Sequence, residues 1–149
     1  MPERETLERA REDLREGKSP TTAAGEFVRE EIEHIREGKH GARSAKQAIA
    51  IGLSKARRAG VPLPPPKRGS TSESTRRSAK TAYEAGQGKR RSKSPSRKRG
   101  AATLKALKRE GHSAVSPRAL SKQAKSAARR RKASGAARKR PVRRTRRSG

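Results

Sequence analysis

Apolar positions recur at helical spacing through the first sixty residues and thin out afterwards. Leu7, Ala10 and Leu14 make a narrow stripe over residues 3–16, which predicts a first helix ended by Gly17. Ser19-Pro20 has the form of an N-cap followed by proline at the first helical position. The second helix should run from there to Glu37, with Ala24, Phe27, Val28, Ile32 and Ile35 on its apolar face. The best-delimited helix lies between Ser44 and Gly60. Ser44 and Gln47 have capping-box spacing, Lys55, Arg57 and Arg58 suit the negative pole, and Pro62 forbids continuation. One side of this helix is built of small residues: Ala45, Ala48, Ile49, Gly52, Ala56 and Ala59. Glycine inside a helix costs about 1 kcal/mol against alanine, so Gly52 suggests that another backbone approaches closely. Ile51 and Leu53 point elsewhere, which leaves this helix apolar on more than one side.

Pro62-Leu63-Pro64-Pro65-Pro66 reads as a stiff extended hinge. Beyond it the apolar pattern is sparse. Ser70 and Glu73 have capping-box spacing ahead of a weak helix to about Ala85. Ser94-Pro95 opens a helix to about Glu110, with Leu104 and Leu107 inward. Ser116-Pro117 opens another to about Lys132, with Leu120, Ala124 and Ala127 on one side. The pattern therefore predicts a mostly α protein without a sheet. A helical module at 1–61 (about three helices) should be joined by a Pro-rich hinge at 62–69 to a largely disordered, helix-prone basic region at 70–133, with a disordered Arg-rich tail at 134–149.

Composition sharpens the division. Of 149 residues, 28% are hydrophobic and 38% charged, with one Phe, one Tyr, no Trp and a formal net charge of +28. Residues 1–66 hold 13 Lys and Arg against 11 Asp and Glu, whereas residues 67–149 hold 29 against 3. So many like charges beside so few large apolar groups oppose ordering of the second part. Cysteine is absent, which removes disulfides, thiolate catalysis and Cys-based zinc sites. No apolar run approaches a bilayer span of about 20 residues, and Met-Pro-Glu-Arg-Glu carries no apolar signal core. A soluble cytoplasmic protein is expected.

Dense cations without acids are relieved by polyanions. Lys and Arg displace condensed counterions from a nucleic-acid backbone, giving affinity that is insensitive to sequence and falls steeply with salt. The candidate contacts are Lys98, Lys105, Lys108, Arg109, Arg118, Lys122, Lys125, Arg129, Arg130, Arg131, Lys132, Arg138, Lys139 and Arg140. The plainer reading of the same charges is a solvated tail. Phe27, Ile32, Ile35, Ile49, Gly52 and Leu53 form the candidate packing or partner face. Expected partners are nucleic acid, DNA ahead of RNA, with self-association or a protein partner open to the N-terminal helices. The helices lack the aromatic and leucine face of a membrane-surface helix, so no membrane partner is expected.

Enzyme chemistry finds no footing. Gly17-Lys18-Ser19 has the end of a phosphate-binding loop, but Glu12 stands where the leading glycine belongs. Asp13 is the only aspartate, and no triad forms around it. His34 and His40 are six apart, and His112 stands alone; no metal site or cofactor is expected from that spacing.

Ser94-Pro95-Ser96-Arg97 and Ser116-Pro117-Arg118 resemble the Ser-Pro-basic elements of linker-histone tails, within a similar Ala/Lys/Arg-rich composition. That resemblance implies contacts along phosphates or in a narrow minor groove; simple helix capping explains the same residues. Residues 17–68 resemble a family of small basic bacterial proteins that carries a Lys-Gln-Ala-Ile-Ala-Ile-Gly-Leu-Ser signature before a basic tail, here Lys46–Ser54. This resemblance implies no established activity. The resulting expectation is a histone-like or nucleoid-associated nucleic-acid binder. The alternatives are an adaptor docking by residues 44–60 with a nucleic-acid tether, or an RNA- or ribosome-associated factor.

Overall fold

The structure, a computed structural model, describes residues 2–89 and 96–139. Among them are six α-helices, one 3-10 turn and no strand: α1 (Arg4–Arg15), α2 (Pro20–Arg36), α3 (Ala45–Arg58), α4 (Glu73–Gly86), α5 (Arg97–Arg109), the 3-10 turn Ser113–Val115, and α6 (Pro117–Lys139). An isolated bridge between Arg68 and Thr71 is the nearest approach to β structure among these residues.

The first three helices start and stop on the residues that their sequence marks. Ser19 Oγ accepts from the Thr22 amide, and Ser44 Oγ from the Gln47 amide. The Gln47 side chain reaches back to the amide of Arg43, one residue before the N-cap. At the C-termini the paired bonds of a Schellman motif appear each time, as in Val61 N–H to Ala56 O and Gly60 N–H to Arg57 O. Gly60 there has φ +98°, a conformation that side chains with a Cβ resist.

Antiparallel α2 and α3 form the centre. Phe27 packs with Ala56 at one end, and Ile35 with Ala48 at the other. A Cβ at Gly52 would lie 2.7 Å from Val28 Cα, so only glycine lets the two backbones come this close. α1 lies antiparallel to α2, adding Leu7, Ala10 and Leu14 around the fully buried Phe27. Burying such a side chain contributes roughly 1.5–3 kcal/mol. Val61 and Leu63 close this cluster from below.

The Pro-rich segment turns back along α3. Arg57, itself buried, donates from Nε to the Leu63 carbonyl at 3.2 Å and from Nη2 to the Pro64 carbonyl at 3.3 Å. Burial also makes this guanidinium a weaker base than usual. Extended backbone at about 3.1 Å per residue retraces the ~21 Å length of α3 in about seven residues. α4 therefore runs parallel to α3, with Ala79 and Ala82 buried and Gly86 against the Arg57 carbonyl.

The basic region is where the structure departs from expectation. It is not largely disordered. Ala114 and Val115, in the 3-10 turn, are buried with Ile35, Ala42 and Ala48 and plug the open end of α2 and α3. The turn from α5 is fastened by backbone: Gly41 N–H donates to Leu107 O, and Ala42 N–H to Gly111 O. A Cβ on Gly41 would fall 2.0 Å from the Glu110 carbonyl. The segment lacks a core of its own and completes that of residues 1–61.

Details of the later helices differ too. α4 is capped by Ser72, not Ser70, through the Thr75 amide. α5 is capped by Ser96; the Ser94-Pro95 step lies outside the described residues. Ser116 caps α6 through the Ala119 amide, and that helix continues past Lys132 to Lys139. α5 buries no side chain, and Leu104 is exposed instead of inward.

Two measurements test this packing. Gly52→Ala gains up to about 1 kcal/mol of helix propensity but must push α3 off Val28, a strain that costs about 1–3 kcal/mol. The variant should melt below wild type; equal or higher stability would show that the helices do not approach. Because the halves share one core, the full chain should be more helical by circular dichroism than separate fragments 1–66 and 67–149 summed. Equal signals would mean independent halves.

Candidate nucleic-acid interface

Spacing on α6 sets Arg118, Lys122, Lys125, Arg129 and Lys132 along one side, all exposed, over about 21 Å of helix axis. The opposite side carries the half-buried Leu120, Gln123 and Ala127, which turn toward the body. Shallow relief beside the stripe is lined by Ser121 and Ser126 together with four of these cations. No carboxylate pairs with the stripe among the described residues. Every acid of the chain except Glu110 lies at or before Glu84, and Glu110 approaches Arg43 at 3.8 Å.

Arg130 and Arg131 do not join this stripe. Arg130 faces a cleft of about 600 Å³ between α3, α4 and α6, whose walls include Ile49, Leu53, Ala79 and Gln123. Arg131 lies by Gly69 and Ser70. On α5, Lys98, Lys105, Lys108 and Arg109 are all exposed and share the side away from Leu107. Arg138 and Lys139 belong to the last turn of α6, where side chains are not described, and Arg140 is outside the described residues. Of the candidate packing face, Phe27, Ile35 and Gly52 are buried, while Ile32, Ile49 and Leu53 are half-buried at the edges of the core and the cleft.

A second polar constellation sits at the other face of the α2–α3 pair. Glu31 is 1% exposed, with Lys55 Nζ at 2.6 Å from one carboxylate oxygen and His40 Nε2 at 2.7 Å from the other. Glu30, also buried, accepts from the Glu3 amide at 3.1 Å. His34 Nε2 lies 3.0 Å from Glu3 Oε1 and 3.7 Å from Glu30 Oε1. The hydrogen bond from His34 holds the Glu3 carboxyl below its usual range, with Lys39 nearby adding to it. Lys39 is pushed up, chiefly by its bond to Glu37.

The six-residue spacing of His34 and His40 gives no expectation of a metal site, and the structure brings the two together beside Glu31. The legible signal was the i, i+3 pair Glu31 and His34 on α2, followed by a glycine turn that folds His40 back. Nothing in apolar periodicity marked Glu30 or Glu31 as buried, since acids at those positions suggest a solvated face.

Residues 17–68 match the model of DUF6496, a family of unknown function. The matched stretch covers α2, the turn after it, α3 and the Pro-rich segment, about a third of the chain. No curated protein and no solved structure matches. No helix among the described residues is long and apolar enough to cross a membrane.

The buried pair makes its own prediction. Lys55→Met leaves the Glu31 carboxylate buried without its ammonium, and should cost about 3 kcal/mol in denaturant unfolding. Adding Glu31→Gln should restore part of that stability. A Lys55→Met variant of wild-type stability would mean that Lys55 is not what offsets the buried charge of Glu31.

Proposed function

We propose that this protein binds nucleic acid, duplex DNA ahead of RNA, by phosphate contacts in the manner of a histone-like or nucleoid-associated protein. The observation that carries the reading is the exposed stripe Arg118, Lys122, Lys125, Arg129 and Lys132 on α6, which has no acidic partner among the described residues. Cations held in a row at helical spacing track a phosphate backbone and offer few donors shaped for base edges, so binding should be nearly blind to sequence. The exposed cations of α5 add to the same field. The proposal includes a bacterial source, the Lys46–Ser54 signature as the mark of the matched family, and a place at the nucleoid.

The adaptor reading has less to work with. The small-residue face of α3 is occupied by α2, and its flank by α4 and the 3-10 turn. Of its other positions Lys46, Ala50 and Arg58 are exposed, and Ile51 is half-buried.

Fluorescence anisotropy with a labelled duplex over a salt series tests the assignment. For wild type, log K should fall linearly with log salt. Lys122→Gln/Lys125→Gln/Arg129→Gln should flatten that slope by about 0.9 for each phosphate that the variant no longer neutralises. Arg11→Gln/Arg15→Gln on α1 should leave it unchanged. A triple variant with wild-type affinity and slope would overturn the reading. Competition by single-stranded DNA and structured RNA at fixed salt ranks the nucleic acids, and RNA winning by tenfold would move the protein to the RNA-associated class.

A further inference from the structure

A buried carboxylate oxygen ought to have a donor, and Glu31 Oε1 has none. It is buried, in a residue 1% exposed, and no hydrogen bond reaches it. His40 Nε2 lies 2.7 Å from it without forming a hydrogen bond to it. The other side of the ring explains why this contact needs something more. His40 Nδ1 lies 3.0 Å from the Gly41 carbonyl oxygen, an atom that can only accept, so Nδ1 carries the proton. In the neutral imidazole, Nε2 then presents a lone pair. A nitrogen and a carboxylate oxygen 2.7 Å apart call for a positive centre, a proton or a metal ion, between or beside them.

His34 completes the arrangement. It stands one turn after Glu31 on α2, and one ligand atom from each of Glu31, His34 and His40 lies within 4.8 Å of the other two. The remaining polar contacts resemble an outer shell. Lys55 occupies Glu31 Oε2 and leaves Oε1 to face the histidines. Glu3 Oε1 accepts at the His34 ring, as carboxylates do behind metal-bound imidazoles. Glu30 Oε2 is a further buried oxygen without a donor next to this shell. The side chains of His34 and His40 are 14% and 10% exposed, which gives an ion a path in.

From this geometry we propose that Glu31, His34 and His40 bind one divalent transition-metal ion, with zinc the best fit. Two imidazole nitrogens and one carboxylate oxygen suit tetrahedral zinc with bonds of about 2.0–2.2 Å and a fourth position for water. Ligands on such a tetrahedron sit roughly 3.4 Å apart, so the 2.7 Å contact opens slightly on loading. Magnesium and calcium prefer shells of oxygen, and the two imidazoles disfavour them. The ion would tie the 38–41 turn to α2, and through that turn the end of α5, in a molecule with a small core. This inference is independent of nucleic-acid binding.

The test uses the untagged full-length chain, freed of nucleic acid and stripped with chelator. Equilibrium dialysis against zinc should load one ion per chain and raise the melting temperature; magnesium at the same concentration should do neither. Cobalt in place of zinc should give the visible absorption of a four-coordinate site. His34→Gln and His40→Gln, each checked for wild-type helicity by circular dichroism, should bind zinc at least tenfold more weakly and show no cobalt band. His112→Gln, whose ring lies against Gly38 but outside the trio, should keep both. Wild-type protein that takes up no zinc overturns the proposal. So does an equal weakening in all three variants.

Discussion

Everything in this molecule is indexed to the distance between two backbones. Gly52 lets α3 settle against Val28 of α2, and that spacing decides what the rest of each helix can reach. It brings Lys55 within ion-pair range of a carboxylate that would otherwise be stranded in the core. The helix ends lie close enough together for a small apolar pair, Ala114 and Val115, to close the gap. A wider α2–α3 pair would need larger core residues, which a chain with one Phe and no Trp does not supply. Small residues at close range replace large residues at longer range.

The N-terminal helices were legible because their signals are local and agree with one another. Ser19, Ser44, the glycine stops and the apolar stripe around Phe27 each specify a boundary or a face without help from distant sequence. The order of the basic region is not legible in its sequence, for a physical reason. Its apolar residues are too few to make a core among themselves. Val115 needs only a seat on Ile35 and Ala48, which α2 and α3 already bring together. Contacts at that separation have no periodic trace in a single sequence. The same blindness hid the Glu31, His34 and His40 arrangement, since it depends on how a turn folds back. On α6 the cationic stripe could be read from spacing alone, but the division of Arg130 and Arg131 from it follows from where the body lies.

The two halves use their charges differently. Most acids of α1 and α2 are consumed in local pairs or buried against Lys55 and the histidines. Little negative charge is left to shield α5 and α6. Mixed charge on α1 and α2 and unmatched cations on α5 and α6 give the molecule an uneven field toward any polyanion.

The Pro-rich segment between α3 and α4 has a consequence of its own. Four of its five residues at 62–66 have no amide hydrogen, and the carbonyls of Leu63 and Pro64 are held by Arg57. Such an extended segment acts as a ruler. Its length, more than its side chains, fixes where α4 begins. One residue inserted or removed would slide the start of α4 by about 3 Å, the rise of two helical residues. Ala79 and Ala82 would then meet the wrong positions of α3 while every helix stayed intact. The joint tolerates changes of composition far better than changes of count.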